Sequence, residues 1–224
     1  MNPRVLLLIG SARKPHSSSE SLGTYLLDCL RARGMETEKL LLHESLWTDE
    51  PRRALLDTVD RADILALAFP LYVDTLPFIV TRALELIAEH RHQNGKPKQQ
   101  RLLCIVNCGF PESQHCNTAV AVCRQFARET DFAWVGGLGL GGGGAINGRP
   151  LEQLGGMIRH AIKALNLTAD ALVANQPIPQ EAIALMAKSF IPTWLYVLIA
   201  GSSWKKVAKP FGVEKRLRER PYMK

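Results

Sequence analysis

The 224-residue chain contains no apolar run of the roughly 18 residues that a membrane-spanning helix requires. It also has no internal repeat, and its amino terminus does not resemble a signal peptide, because only five apolar residues follow Arg4 and no small-residue cleavage site comes after them. The chain is 46% hydrophobic and 22% charged, which is typical of a globular protein. We therefore expect a single α/β domain with a sizeable core.

The five cysteines are an odd number without a regular spacing, which favours a reduced, cytoplasmic setting over secretion. The net positive charge is concentrated at one end of the chain. Residues 201–224 contain eight Lys or Arg against Glu214 and Glu219, a net +6 of the total +7. Since the body has neither a basic stripe nor a recognised module, we expect no nucleic-acid partner.

The chain is organised around the loop from Gly10 to Ser21, which follows the apolar run 5–9 and precedes a helical pattern that starts at Leu22. The loop has neither the Gly-Lys-Ser/Thr ending of a P-loop nor a Gly-x-Gly-x-x-Gly fingerprint. A helix start offers unpaired amides and a positive dipole end, so this loop is a candidate phosphate site. Its candidate donors are Ser11, Arg13, Ser17, Ser18, Ser19 and Ser21. One of Ser17, Ser18 or Ser19 is also expected to be an ordinary N-cap.

Strand and helix patterns alternate along the rest of the chain. The predicted strands are 5–9, 37–42 (a polar edge strand), 64–69, 102–106 and 132–140. The predicted helices end at Gly34, run from Pro51 to Arg61, reach about His90, cover about 117–130, and extend over 151–175 with a break near Thr168. Strands that are apolar on both faces predict a doubly wound parallel sheet.

In such sheets ligands bind beyond the carboxyl ends of the strands. The unusual loops of this chain fall there, at 10–19, 70–77, 108–113 and 141–150. Tyr72 could stack on an aromatic ring, and the glycines of the last loop permit a close approach. Each feature also has an ordinary interpretation, as a turn aromatic or a flexible loop, but their coincidence at one sheet edge favours a site.

These motifs resemble the flavodoxin-like NAD(P)H-dependent FMN reductase family, which includes NAD(P)H quinone reductases. The resemblance covers about residues 3–165. The residues that carry it are Gly-Ser-x-Arg at 10–13, Ser-Ser-Ser-Glu-Ser-Leu at 17–22, Pro-Leu-Tyr-Val-Asp at 70–74, Leu-Pro at 76–77 and Gly-Phe-Pro-Glu at 109–112. It implies a flavodoxin-like five-stranded sheet of order 2-1-3-4-5, here with a C-terminal helical extension.

The resemblance also implies a site for FMN. Its phosphate would be held by Ser11, Arg13, Ser17, Ser18 and Ser19. Its ring would lie between Pro70, Leu71, Tyr72 and Val73 on one side and Asn107, Cys108 and Gly109 on another, with Gly142 and Gly143 nearby. No catalytic side chain is implied, and no histidine has a persuasive metal-ligand spacing.

The cysteines depart from a related pattern. Iron–sulfur flavoproteins of similar build carry four closely spaced cysteines, whereas Cys104, Cys108, Cys116 and Cys123 are widely separated here. We therefore expect no cluster and no metal. A redox or disulfide role for Cys108 and Cys116 stays open as an alternative.

The expected function is that of an FMN-dependent oxidoreductase that takes a hydride from NADPH or NADH and passes it to a quinone, free flavin or similar acceptor. The alternative is an FMN electron carrier, flavodoxin-type or iron–sulfur flavoprotein-like, without a nicotinamide site. We expect a flavodoxin-like domain over 1–175 and an extension over 176–224 that is not an independent domain. Its apolar run at 190–200 is expected to pack within the chain or in a dimer or tetramer, ahead of peripheral membrane contact.

Overall fold

The computed structural model describes residues 2–13, 16–95, 98–190 and 193–220. The strands are β1 (Arg4–Ile9), β2 (Glu36–Leu41), β3 (Ile64–Pro70), β4 (Arg101–Asn107) and β5 (Ala133–Leu140). The α-helices are α1 (Ser18–Ala32), α2 (Leu42–Ser45), α3 (Asp49–Arg61), α4 (Phe78–Asn94), α5 (Asn117–Glu129), α6 (Arg159–Val173), α7 (Gln180–Met186) and α8 (Thr193–Ala208).

All five strands are parallel and lie in the order β2-β1-β3-β4-β5, which confirms the predicted flavodoxin-like sheet with a C-terminal helical extension. In the central register Leu7 of β1 lies opposite Lys39 of β2 and Ala66 of β3. The polar strand β2 is at one edge, as its sequence predicted.

The sheet is covered on both faces, which explains why β1 is a continuous apolar run. Val5, Leu7 and Ile9 pack in one core with α1 and α6. The alternate residues Leu6 and Leu8 pack in a second core with α3, α4 and α5. Because successive strand side chains point to opposite faces, each residue of the run is buried on one side or the other.

Two predicted helix details are wrong. The helix that was expected to begin at Pro51 begins at Asp49, so the proline lies in its first turn, where its missing N–H costs little. The break expected near Thr168 lies instead at Gly155, whose φ of 58° interrupts the segment between Leu151 and Ile158. Thr168 remains helical, with its hydroxyl donating to Ala164 O at 2.8 Å. Gly34, with φ of 85°, ends α1 as predicted.

The segment after α6 continues to pack on the sheet. Ile178 N donates to Val135 O of β5 at 2.7 Å, and α7 packs on α6 and β5. Gly136 permits this contact, because a Cβ there would lie 2.9 Å from Ile178 Cβ.

Contacts divide the chain into two compact units, 1–190 and 191–224. Residues 176–190 therefore belong to the first unit by contact, although the sequence analysis grouped them with the extension. The second unit consists of α8, a 3₁₀ turn over Lys209–Phe211 and the following segment to residue 220. Within the described ranges, no helix combines the length and apolar character needed to cross a membrane.

Candidate functional site

The carboxyl ends of β1, β3, β4 and β5 lie at one edge of the sheet, and the four loops that follow them form the candidate site. We call them the first, third, fourth and fifth loops, after the strand that each one follows. The first loop leads into α1, whose N-cap is Ser17. The Ser17 hydroxyl accepts a hydrogen bond from Glu20 N at 3.1 Å. In the first turn the amides of Ser18 and Ser19 have no partner within the helix, so the helix presents donors at this edge.

The hydroxyls of the next two serines bind protein atoms. Ser18 Oγ donates to Gly143 O and Ser19 Oγ donates to Asn107 Oδ1, each at 2.7 Å and each buried. These bonds tie the first loop to the ends of β4 and β5. The two hydroxyl protons are therefore committed to the protein, and the amides of these residues are the donors that remain for an anion.

Arg13 connects the first loop with the loop after β5, and Ser11 binds Arg13 within the first loop. The Arg13 amide donates to Ser11 Oγ at 3.3 Å, and Arg13 Nη2 donates to Asn147 Oδ1 at 2.6 Å. Gly148 allows the two loops to touch, since a Cβ there would lie 2.5 Å from His16 O. Lys14 and Pro15, which complete this stretch of the sequence, lie outside the described residues.

The third loop is a tight turn. Tyr72 and Thr75 exchange two backbone hydrogen bonds, of 3.0 and 3.1 Å. The central residues Val73 and Asp74 have φ of 47° and 60°, as in a type I′ turn. Val73 is 96% exposed, and a β-branched residue in this conformation is strained. Such strain occurs often at functional sites, and here it presents Tyr72 half-exposed beside the loop.

Backbone contacts join the third, fourth and fifth loops. Leu71 N donates to Asn107 O at 2.8 Å, and Cys108 O accepts from Gly143 N at the same distance. Gly142 N donates to Phe110 O at 2.6 Å. Gly109 borders open space, because no atom lies within 4 Å of a Cβ built there. The loops are thus held together while one side of the fourth loop stays accessible.

Cys104, Cys108, Cys116 and Cys123 are all buried and reduced. They form two contacting pairs, Cys108 with Cys116 and Cys104 with Cys123. A hydrogen bond from Cys116 lowers the pKa of Cys108, whereas that bond and burial raise the pKa of Cys116. Burial, followed by the contact with Cys123, raises the pKa of Cys104. In the described ranges no group of three or more His, Cys, Asp or Glu is arranged to hold a metal.

One carboxylate lies in the first turn of α1. Glu20 accepts a hydrogen bond from Lys39 Nζ at 2.7 Å, and His16 Nδ1 lies 3.5 Å away. Burial alone would raise the pKa of Glu20, but the bond and charge of Lys39, with a smaller contribution from His16, lower it below its ordinary value of 4.5. The ion pair neutralises this charge close to the amides of the first turn.

We expect Glu20→Gln to destabilise the protein by about 1–2 kcal/mol at neutral pH, because it removes a charged hydrogen bond from a mostly buried side chain. A carboxyl whose pKa is lowered by folding stabilises the protein above its unfolded-state pKa, and this stabilisation is lost as the pH falls through the folded pKa. Urea unfolding at pH 7 and at acidic pH should therefore show a difference from the wild type that shrinks as the pH falls. An equal difference at both pH values would contradict the assignment.

All the predicted site residues lie at this edge of the sheet, but sequence reasoning missed Asn147, the partner of Arg13. Its signal was the Asn-Gly pair at 147–148, which is typical of a tight turn with positive φ. Sequence reasoning also did not predict that Ser19 and Asn107 bind each other.

No protein-family model and no curated protein sequence matches the chain. Solved structures do match. RosB with a bound 8-demethyl-8-formylriboflavin-5′-phosphate intermediate is 13% identical over 90% of this chain and 87% of its own, with a TM-score of 0.59. An NADH:FMN oxidoreductase in its apo form is 14% identical over 85% and 97%, with a TM-score of 0.58. A flavone reductase is 14% identical over 75% of this chain, with a TM-score of 0.55, and this chain spans 62% of it. At these identities the likeness shows the flavodoxin-like fold.

Proposed function

We propose that the protein is an FMN-dependent oxidoreductase that transfers a hydride from NADPH or NADH to bound FMN and then to a small acceptor such as a quinone or free flavin. The observation that carries this proposal is the linkage of four loops around the start of α1, by two buried side-chain hydrogen bonds and by backbone hydrogen bonds. Flavodoxins, which share this topology, bind FMN at this edge of the sheet. The motifs that resemble the FMN reductase family lie in the same loops.

The first loop fits the phosphate of FMN. The amides of Ser18 and Ser19 at the start of a 15-residue helix would bind its oxygens, with the hydroxyls of Ser11 and Ser17 beside them. Arg13 binds Asn147 with one guanidinium nitrogen, so further guanidinium donors remain for the phosphate. The guanidinium also adds positive charge beside the helix start. The carboxylate of Glu20 is compensated by Lys39, which removes the main local repulsion.

The other loops fit the ring. Pro70, Leu71, Tyr72 and Val73 would line one side, and Asn107, Cys108 and Gly109 another. Gly142 and Gly143 bring backbone close to the same space, and the open surface beside Gly109 leaves room for a planar group. This division into a polar phosphate loop and an apolar ring surface matches the two halves of FMN.

When bound, FMN supplies the hydride and electron-transfer chemistry. The chain's residues bind and orient it. The strained turn at Val73 holds Tyr72 in place, and backbone amides of the third and fourth loops would stabilise negative charge on the reduced ring. We assign no side chain as a general acid or base.

The first test is an absorption spectrum of the purified protein, repeated after addition of FMN and desalting. We expect flavin bands, about one FMN per chain and bleaching on addition of NADPH or NADH. Absence of bound flavin from both samples would overturn the proposal. Retention of FMN without bleaching by either nucleotide would instead establish the electron carrier, while quinone-dependent NAD(P)H oxidation would establish the reductase.

We also propose a cytoplasmic homo-oligomer, a dimer or tetramer, with all five cysteines reduced. Light scattering after gel filtration measures the mass of the assembly directly. A monomer at micromolar concentration would contradict this part of the proposal.

A further inference from the structure

The second unit presents an unusual concentration of exposed apolar side chains. In α8, Trp194, Val197 and Leu198 are between 61% and 65% exposed. Trp204 in the same helix and Phe211 just after it are exposed as well. Exposed apolar patches of this kind mark surfaces that contact a partner or a membrane.

The first part of α8 is apolar around its whole circumference. The five consecutive residues 194–198 read Trp-Leu-Tyr-Val-Leu, and at 100° per residue they cover every side of the helix. A helix that is apolar all round lies in a protein core or in lipid. Here Leu195 and Tyr196 are half-buried, whereas Trp194, Val197 and Leu198 are exposed and would remain for lipid. With 16 residues, α8 is shorter than the roughly 20 needed to span a bilayer, so its apolar part could enter one without crossing it.

Basic residues follow the apolar part. Lys205 and Lys206 lie in the last turn of α8, and Lys209 begins the 3₁₀ turn after it. The basic residues of 201–224 are Lys205, Lys206, Lys209, Lys215, Arg216, Arg218, Arg220 and Lys224. Against two glutamates they give a net charge of +6. Trp204 and Phe211 stand among them, and tryptophan is enriched where a membrane meets water.

We propose that residues 193–220 bind the surface of an anionic phospholipid membrane, the alternative that the sequence analysis ranked below packing within the chain or in an oligomer. The apolar start of α8 enters the acyl region, while Lys205, Lys206 and Lys209 bind the phosphates of the headgroups. Apolar burial and electrostatic attraction act together in such interfacial segments. The charge of the segment is what favours this occupant over a second copy of the chain, whose own basic segment would repel it. The proposal does not depend on the protein's proposed enzymatic function.

The test is co-sedimentation of the full-length protein with vesicles of phosphatidylcholine alone and with vesicles that also contain phosphatidylglycerol. We expect roughly tenfold or greater preference for the anionic vesicles, which weakens as salt is added. Val197→Glu/Leu198→Glu should abolish binding. The matched control Val122→Glu/Val173→Glu, at exposed valines of α5 and α6, should bind like the wild type.

A second pair of variants separates the charges from the apolar residues. Lys205→Glu/Lys206→Glu should reduce binding to anionic vesicles about tenfold or more, whereas Arg124→Glu/Arg128→Glu on α5 should not. Circular dichroism checks that each variant is folded.

Several results would overturn the proposal: no vesicle binding, equal binding to both vesicle types, or equal loss in the α8 variants and their controls. Loss of self-association in the α8 variants without vesicle binding would assign the surface to a second copy, and binding to nucleic acid alone would also overturn it.

Discussion

Ser17→Asp should weaken FMN binding by roughly 100-fold or more while leaving the protein folded. Aspartate caps a helix about as well as serine, and its charge is favourable at the positive end of the helix dipole. The Ser17 side chain lies at the start of α1, where the phosphate is proposed to bind, so a carboxylate there would oppose a group of nearly two negative charges. At short range, Coulomb repulsion of about 3 kcal/mol is sufficient for a hundredfold loss.

Titration with FMN and with riboflavin makes the test specific, because riboflavin lacks the phosphate. Riboflavin should bind wild type and Ser17→Asp equally, and Ser17→Asn, a neutral cap, should retain most of the affinity for FMN. Equal losses for both flavins, or no loss for FMN, would show that the phosphate does not bind at this helix start. Calorimetry or quenching of flavin fluorescence measures both affinities.

Gly141→Ala should lower the free energy of unfolding by about 2–3 kcal/mol. A Cβ at Gly141 would lie 2.1 Å from Pro111 O and 2.6 Å from its carbonyl carbon. Both are backbone atoms, so no side-chain rotation relieves the overlap, and the fourth and fifth loops must separate. The melting temperature should fall by roughly 5–10 °C. Flavin affinity should fall with it, because the bond from Gly142 N to Phe110 O is nearby.

Gly156→Ala is the matched control for this variant. Gly156 is exposed, and a Cβ there meets no atom within 4 Å. Its effect on stability should stay within about 0.5 kcal/mol. Thermal unfolding followed by circular dichroism compares the two substitutions under the same conditions. If both changes have equal effects, the close backbone approach at Gly141 does not limit stability.

The sheet could be predicted from the sequence because its cause is local. A run such as Val5–Ile9, apolar at every position, has to be buried on both faces, and that alone indicates a central parallel strand. Helix interruptions were harder to place. Thr168 was expected to break its helix, yet its hydroxyl bonds back to Ala164 O, and the interruption lies at Gly155.

The position of the four loops at one edge of the sheet was also predictable, but the contacts of their side chains were not. The sequence indicates that one of three adjacent serines caps α1, and the structure assigns Ser17. The partners of Ser18 and Ser19 are Gly143 and Asn107, which are 125 and 88 residues away along the chain. Such pairings depend on how the strands are brought together, which no local pattern encodes. The positive φ of Val73 could not be predicted from the sequence either, because valine disfavours this conformation.

The packing of residues 176–190 on β5 has a consequence for how the chain can be shortened. β5 is one of the two edge strands, and Ile178 N binds the carbonyl of Val135, which would otherwise be free to pair with another molecule. Removal of this cover would leave a glycine-rich strand ready for intermolecular β-pairing, the usual route to aggregation. We therefore expect residues 176–190 to limit non-native pairing at this edge. A minimal version of the domain should end after them, near residue 190, rather than at 175.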